Sequence, residues 1–395
     1  MTGFFNTGLS QQQFLDEYWQ KKPLVIRQAF PLPVSDLSPD DLAAFASEAE
    51  VESRLIEEFG EKPWQLRHGP FDDEDFADLP DTHWTLLVQD MDKHHPPLQQ
   101  LLTAFEFLSA WRRDDLMISY APEGGSVGPH TDSYDVFLLQ AQGTRHWQIS
   151  DKPLINATFR DDTDLRILQQ FSADHDWKLQ PGDMLYLPPH FAHHGVALNP
   201  CLTFSIGFRA PSQLQLLDAF SHTLLEQDVA EQLYADADVD VIHSATEIDG
   251  SAIQRFQNLL FETISDNQGL IALAVGRLVT ETKSTLQDLA EEFVTDKPSL
   301  VEVDERFNTG EYLQRNVYLR FAWHNDSAGA YIFVAGEAYN VELAAVEQLP
   351  WLTTKAQIHQ TDWQSIRNFP KLMDICCELI ARVPGTGRKI LPEFI

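Results

Sequence analysis

Gln180-Pro181-Gly182-Asp183-Met184-Leu185-Tyr186-Leu187-Pro188-Pro189-His190-Phe191-Ala192-His193-His194-Gly195 sets a short apolar run between two turn sequences. Gln180-Pro181-Gly182-Asp183 has the residues of a tight turn, and Pro188-Pro189 ends the strand read over Asp183–Leu187. The next strand is read over Gly195–Leu198, with His193 and His194 at its beginning. Further short strands are read at Leu116–Tyr120, Tyr134–Ala141, Arg145–Ser150, Trp177–Leu179 and Leu202–Arg209, again separated by Gly, Pro and Asp. Many short strands punctuated in this way predict an antiparallel sandwich or barrel, and a jelly roll is the best single fit.

Gly128-Pro129-His130-Thr131-Asp132 lies inside this strand-rich region. His130 and Asp132 are two apart, so on an extended backbone they project to the same face. A carboxylate and an imidazole joined by a second, distant imidazole form the facial triad of non-haem Fe(II), which leaves coordination positions open for O2. His190, His193 and His194 are the candidates for that second imidazole. His190 follows two prolines and is expected in the turn. His193 and His194 must point to opposite faces of their strand, so only one can serve, and parity leaves open which.

Arg145 opens a strand after Gly143-Thr144. A guanidinium fixed inside a barrel can hold the far carboxylate of a dicarboxylic co-substrate through a bidentate pair. Thr203 and Ser205 on the last strand could offer hydroxyls to the same carboxylate. His146 and Trp147 are expected to be structural. His94-His95, before Pro96-Pro97, is expected in an exposed loop, and His175 in a turn; both are expected to be inert. The chain has no Gly-rich phosphate loop, no Cys-x-x-Cys pair and no Gly-x-Ser-x-Gly elbow.

The 395 residues exceed what one compact core holds, so two or three domains are expected. Sixty acidic against 28 basic residues give a net charge of −32, which disfavours direct nucleic-acid binding and suits a basic partner. No apolar run is long enough to span a bilayer, and the first residues lack a basic leader, so neither membrane insertion nor secretion is expected. Cys201, Cys376 and Cys377 imply no disulfide framework and fit a reducing cytoplasm.

Outside the barrel, helices are expected at Gln11–Gln20 and from Pro39 onward, the latter capped by Ser38, with strands at Lys22–Ile26 and Trp84–Val88. Phe71 to Asp81 reads as an exposed acidic loop. After Pro211 three apolar stripes predict helices around Leu214–Leu225, Ile253–Ile264 and Leu270–Val279. Asp288–Asp296 with Pro298 reads as a linker. Strands are expected at Asn316–Trp323, Ala330–Val334 and Ala338–Val341, then helices at Glu342–Leu349 and at Trp363–Ala381, the last interrupted at Pro370. The whole is an α+β, multidomain chain: a barrel over residues 1–210, a helical region over 211–299 and a small α+β module over 300–395.

Tyr18-Trp19-Gln20-Lys21-Lys22-Pro23, Trp111 to Ser119, Gly128 to Phe137, Pro181 to Pro189 and Ser205-Ile206-Gly207-Phe208-Arg209-Ala210-Pro211 resemble the JmjC-type ribosomal oxygenases. The likeness is to their bacterial branch, cupin-like arginine hydroxylases acting on large-subunit ribosomal protein sixteen. It implies a double-stranded β-helix that binds Fe(II) through His130, Asp132 and His193. It also implies that Arg145 anchors the co-substrate 2-oxoglutarate, with Thr203 and Ser119 as further contacts, and that O2 is the second co-substrate. The helical region would mediate homodimerisation, and the C-terminal module would be winged-helix-like. The implied reaction is hydroxylation at the 3-position of an arginine side chain in a basic ribosomal protein. A JmjC-type histidine hydroxylase, an N-methyl demethylase of another basic protein, and a metal-binding interaction protein without turnover are the alternatives.

Overall fold

The computed structural model describes residues 4–59, 63–237, 239, 246–291, 296–327 and 329–380. The chain divides into two compact units, Met1–Ala210 and Pro211–Ile395.

The first unit begins with α1 (Gln11–Glu17), where Ser10 and Gln13 cap each other's backbone N–H groups, followed by β1 (Leu24–Ile26). Helix α2 (Pro39–Ala46) starts as its sequence predicts, with Ser38 at the cap and Pro39 in the first turn. Strands β2 (Ser53–Glu57) and β3 (Gln65–His68) come next. The acidic segment expected to be a loop instead contains α3 (Asp73–Ala77). Asp72 accepts the N–H groups of Glu74 and Asp75, and three acidic residues sit at the positive end of the helix. After β4 (Trp84–Val88) come α4 (Met91–His94) and α5 (Pro97–Leu102), so His94 closes a short helix and is partly buried rather than lying in an exposed loop.

Seven strands complete the barrel: β5 (Arg113–Ala121), β6 (Asp135–Gln142), β7 (Arg145–Pro153), β8 (His175–Leu179), β9 (Met184–Leu187), β10 (Phe191–Ala197) and β11 (Cys201–Phe208). His175 therefore opens a strand rather than occupying a turn. Strand β10 starts at Phe191, earlier than its sequence suggests, because it pairs along β7 as far as Pro153. One antiparallel sheet runs β1-β9-β6-β11-β5-β4-β2-β3, and a second runs β10-β7-β8.

The alternation of side chains gives the large sheet two apolar faces. Leu116, Ile118, Phe137, Leu139, Phe204 and Ile206 pack outward with Phe14 of α1 and Phe105. Val136, Leu138, Leu185 and Leu187 pack inward against Trp147, Ile149 and Leu179 of the small sheet. Each such side chain, fully buried, contributes about 1.5–3 kcal/mol. A buried polar knot fastens the N-terminal segment to this frame. Asp135 accepts from Tyr186 Oη at 2.7 Å, Gln20 Nε2 at 2.9 Å and an Arg112 nitrogen at 3.1 Å.

The second unit contains α6 (Gln213–Glu226), α7 (Gly250–Asp266), α8 (Gln268–Thr280), α9 (Gln287–Glu291) and α10 (Leu300–Asn308). The expected linker thus begins within α9, and residues 292–295 lie outside the described residues. Strands β12 (Leu313–Gln314), β13 (Phe321–Asn325), β14 (Ala330–Val334) and β15 (Glu337–Val341) follow. Then come a 3-10 turn at Leu343–Gln348, α11 (Leu349–Thr354), β16 (Gln357–Ile358), α12 (Gln360–Ser365) and α13 (Pro370–Ile380).

The strand expected from Asn316 starts only at Phe321, because the Asn316 side chain accepts the Tyr318 N–H and holds a turn there. The helical stretch from Trp363 is interrupted before Pro370, as expected: α12 ends at Ser365, Pro370 starts α13, and the Glu342 carboxylate accepts the N–H groups of Lys371 and Leu372 at its first turn. Within this unit α8 packs on the hairpin of β13 and β14. A Cβ on Gly276 would come within 2.3 Å of the Phe333 ring. Helix α7 is amphipathic yet has no buried residue; Ile253, Phe256, Leu260, Phe261 and Ile264 are exposed. Among the described residues no helix is long and apolar enough to cross a membrane.

Candidate active site

His130 and His193 face each other across an isolated antiparallel bridge, each backbone N–H donating to the other's carbonyl at 3.0 Å. This pairing brings residues distant in sequence into register, with ring centroids 4.2 Å apart. Asp132 completes the group: its Oδ1 is 3.8 Å from His130 Nε2, and its Oδ2 is 3.6 Å from His193 Nε2. One ligand atom from each residue fits within 4.8 Å of the others.

The tautomers suit a metal. His130 Nδ1 lies 2.9 Å from the Gly128 carbonyl, and His193 Nδ1 lies 2.9 Å from the Phe191 carbonyl. A carbonyl only accepts, so Nδ1 carries the hydrogen in both rings and the Nε2 lone pairs are left to converge on one point. Burial, followed by the neighbouring His130, pushes His193 down to about 4, which keeps it neutral and ready to ligate. Two neutral imidazoles and a carboxylate fit a divalent first-row metal.

His194 pairs with Gln148 on the next register position and points away from this cluster, toward Phe171. His190 occupies the turn, with φ 67, and its N–H donates to the Asp132 carbonyl at 2.7 Å.

Arg145 is buried at one end of the chamber between the sheets, only 3% exposed. Its Nη2 donates to the Gly195 carbonyl at 3.2 Å. Its Nε and Nη1 have no hydrogen-bond partner among the described residues. A buried guanidinium in that state is costly unless an anion arrives, so the site fits a carboxylate ligand. Ala121, Ala197 and Cys201 form a buried cluster at this end, with Ala197 opposite Arg145 in the ladder and the Cys201 thiol against its guanidinium. Thr203 and Ser119 pair in the next row of β11 and β5. Thr203 Oγ1 donates to Gln140 Oε1 at 3.2 Å, and Ser119 Oγ donates to the Thr203 carbonyl at 3.4 Å. Ser205 pairs with Met117 one row further on.

The same parity carries β5 to Asp115 at the opposite end. A Cβ on Gly207 would stand 3.5 Å from Asp115 Oδ1 and 3.7 Å from Tyr134 Cε2. Asp132 first, then burial and Asp115, push the Tyr134 phenol above its ordinary value. Asp115, whose Oδ2 accepts the Asp90 N–H at 3.4 Å, and Tyr134 are candidates for this end that the sequence reading missed. The available signal was a carboxylate at the inward parity of Met117 and Ser119.

A chamber between two antiparallel sheets, with a His-x-Asp and distant His cluster inside it, defines a cupin-like metal-site protein. Residues 100–216 match the JmjC domain family. The chain is 38% identical over 261 residues to the ribosomal protein uL16 3-hydroxylase of Escherichia coli, covering 66% of this chain and 69% of that protein. It is 41% identical over 221 residues to a probable ribosomal oxygenase of Haemophilus influenzae, covering 56% and 54%. A crystal structure of E. coli YcfD superposes with a TM-score of 0.80 at 29% identity, covering 95% of this chain and 97% of that one. The structure of YcfD with cobalt and 2-oxoglutarate gives 0.78 at the same identity and coverage. The chain belongs to the JmjC-type ribosomal oxygenases.

Proposed function

We propose that this chain is an Fe(II)- and 2-oxoglutarate-dependent protein hydroxylase acting at the 3-position of an arginine side chain in ribosomal protein uL16. The observation that carries this reading is the buried, incompletely paired Arg145 sharing one chamber with His130, Asp132 and His193. The names of the E. coli and H. influenzae relatives, and the cobalt and 2-oxoglutarate complex of YcfD, support it.

His130, Asp132 and His193 hold the metal, and Arg145 takes the far carboxylate of 2-oxoglutarate with Ser119 and Thr203 beside it. Bound Fe(II) supplies O2 activation coupled to oxidative decarboxylation of 2-oxoglutarate. The protein orients the reactants and excludes water. Val136, Leu138, Leu185 and Leu187 keep one wall of the chamber apolar. At the other end Asp115, beside Tyr134, suits a cationic side chain. The acidic chain steers a basic ribosomal protein toward it in the cytoplasm without binding nucleic acid directly. Residues 211–299 form a homodimer through the exposed apolar faces of α6 and α7, and residues 300–395 act as a winged-helix-like module.

The test is intact-mass comparison of ribosomal proteins from wild-type and deletion cells. The expected outcome is uL16 lighter by one oxygen atom in the deletion strain. Loss of a methyl group on treating a substrate peptide with the purified protein would favour the demethylase reading, and oxygen gain on histidine the histidine hydroxylase. Failure of the purified protein to form succinate from 2-oxoglutarate with Fe(II) and ascorbate would leave only an interaction protein.

A further inference from the structure

The β7–β10 ladder sets Trp147 directly opposite Gly195. A Cβ at position 195 would lie 2.6 Å from Trp147 Cζ3, 2.7 Å from Trp147 Cη2 and 2.8 Å from Arg145 Nε. These separations are shorter than packed atoms tolerate. The backbone does not ask for glycine here, since Gly195 is absent from the residues with positive φ. Space, not conformation, accounts for it.

Neither neighbour can withdraw freely. The indole is packed with Val136, Leu138, Ile149, Leu179, Leu185 and Leu187. The atom of Arg145 at issue is Nε, at the root of the guanidinium, and the Arg145 side chain lies over the indole with its Cζ 5.2 Å from the ring centroid. Gly195 also supplies an acceptor to the guanidinium, its own carbonyl at 3.2 Å from Nη2, and the Cys201 thiol lies against the same group.

We infer that Gly195 is a positioning residue for the co-substrate anchor. Its carbonyl draws one guanidinium nitrogen to β10, and its missing side chain opens the slot in which Arg145 and Trp147 lie side by side. The remaining two guanidinium nitrogens are thereby presented to the chamber. A methyl group in that slot displaces Arg145, because the indole is the more firmly held of the two. The inference rests on the co-substrate role proposed for Arg145.

The experiment uses the full chain loaded with Mn(II), which supports binding without turnover. Titration calorimetry follows Mn(II) and then 2-oxoglutarate, alongside thermal melting. Gly195→Ala is expected to weaken 2-oxoglutarate binding at least about 10-fold while Mn(II) affinity stays within about 2-fold. Trp147→Phe, whose shorter ring vacates the slot, is expected to bind within about 3-fold of wild type. The double variant Trp147→Phe/Gly195→Ala should recover most of the loss. The double variant also covers the case in which Gly195→Ala alone fails to fold. Unchanged 2-oxoglutarate affinity in Gly195→Ala, parallel loss of Mn(II), or a folded double variant that recovers nothing would overturn the inference. Wild-type protein that binds no 2-oxoglutarate would instead sink the proposed function on which it stands.

Discussion

His193 Nε2 lies 3.6 Å from Asp132 Oδ2, while the next side chain on the same strand, His194, faces the other way. Replacing His193 by Ala should therefore lower Mn(II) affinity by more than about 100-fold, the upper range for losing a mere hydrogen-bond partner of a ligand. His194→Ala should change it only a few-fold. Calorimetric titration of both variants decides the matter, and equal losses would reverse the assignment.

Arg145 carries a buried charge whose Nε and Nη1 lack hydrogen-bond partners among the described residues. Arg145→Met removes the cost of burying that charge and keeps much of its packing. Without ligand this variant should melt no lower than wild type. Saturating 2-oxoglutarate, at about 100 times its Kd, should stabilise metal-loaded wild type by about 2.7 kcal/mol and the variant hardly at all. A thermal shift of equal size in both proteins would remove Arg145 from the co-substrate site.

Asp135 is fully buried, and burial raises its carboxyl above the ordinary 3.8. A raised folded-state value means that the native chain holds the proton more tightly than the unfolded chain. The contribution of this group is therefore complete below 3.8 and lost as pH rises through the folded value. Urea unfolding across that range should show the stability of wild type falling relative to Asp135→Asn as pH rises, and a pH-independent difference would remove Asp135 from this role. Asp135→Ala, which strips Arg112 of its carboxylate, should cost about 3 kcal/mol or more at neutral pH.

The strand-and-turn rhythm from Leu116 to Arg209 made the barrel legible, because Pro181-Gly182 and Pro188-Pro189 stop the chain where few other residues would. Strand parity also showed that His193 and His194 could not both serve. It could not choose between them, because the choice depends on which face closes over His130, a contact made across the isolated bridge. Asp72 to Asp75 was misread for a related reason. An acidic run looks solvated as composition, whereas its order, with a capping aspartate first, is what makes a helical turn. Asp115 escaped notice because its meaning comes from Gly207 and Tyr134, which reach it only through the pairing of β11 with both β5 and β6.

Phe256, Leu260 and Phe261 on α7 are about half exposed or more. Association of two chains through this face would bury them. Leu260→Lys/Phe261→Lys should yield a monomer in analytical ultracentrifugation with an unchanged far-UV spectrum. A wild-type chain that is already monomeric at micromolar concentration would remove the dimer from the reading.

Asp115→Asn keeps the shape of the Asp115 end of the proposed site and removes its charge. With an arginine-containing uL16 peptide, kcat/KM should fall about 10-fold or more, the value of a lost charge-assisted pair. Succinate formation without peptide should remain near the wild-type rate. Equal loss of both would place Asp115 in the fold rather than in substrate recognition.

The proposed site has a cation, Arg145, at the end beside Ala121, Ala197 and Cys201 and a carboxylate, Asp115, at the other, the two 3% and 8% exposed. With Arg145 holding 2-oxoglutarate and the protein substrate entering past Asp115, as proposed, traffic through the site is expected to be single-file. The small dicarboxylate has to pass the mouth before a polypeptide side chain fills it, and the product lodged behind that side chain leaves only after it withdraws. Kinetically this is a compulsory order of addition. High concentrations of the protein substrate would then slow turnover by trapping the co-substrate outside, an inhibition set by placing the anchor and the substrate-facing carboxylate at opposite ends of one site.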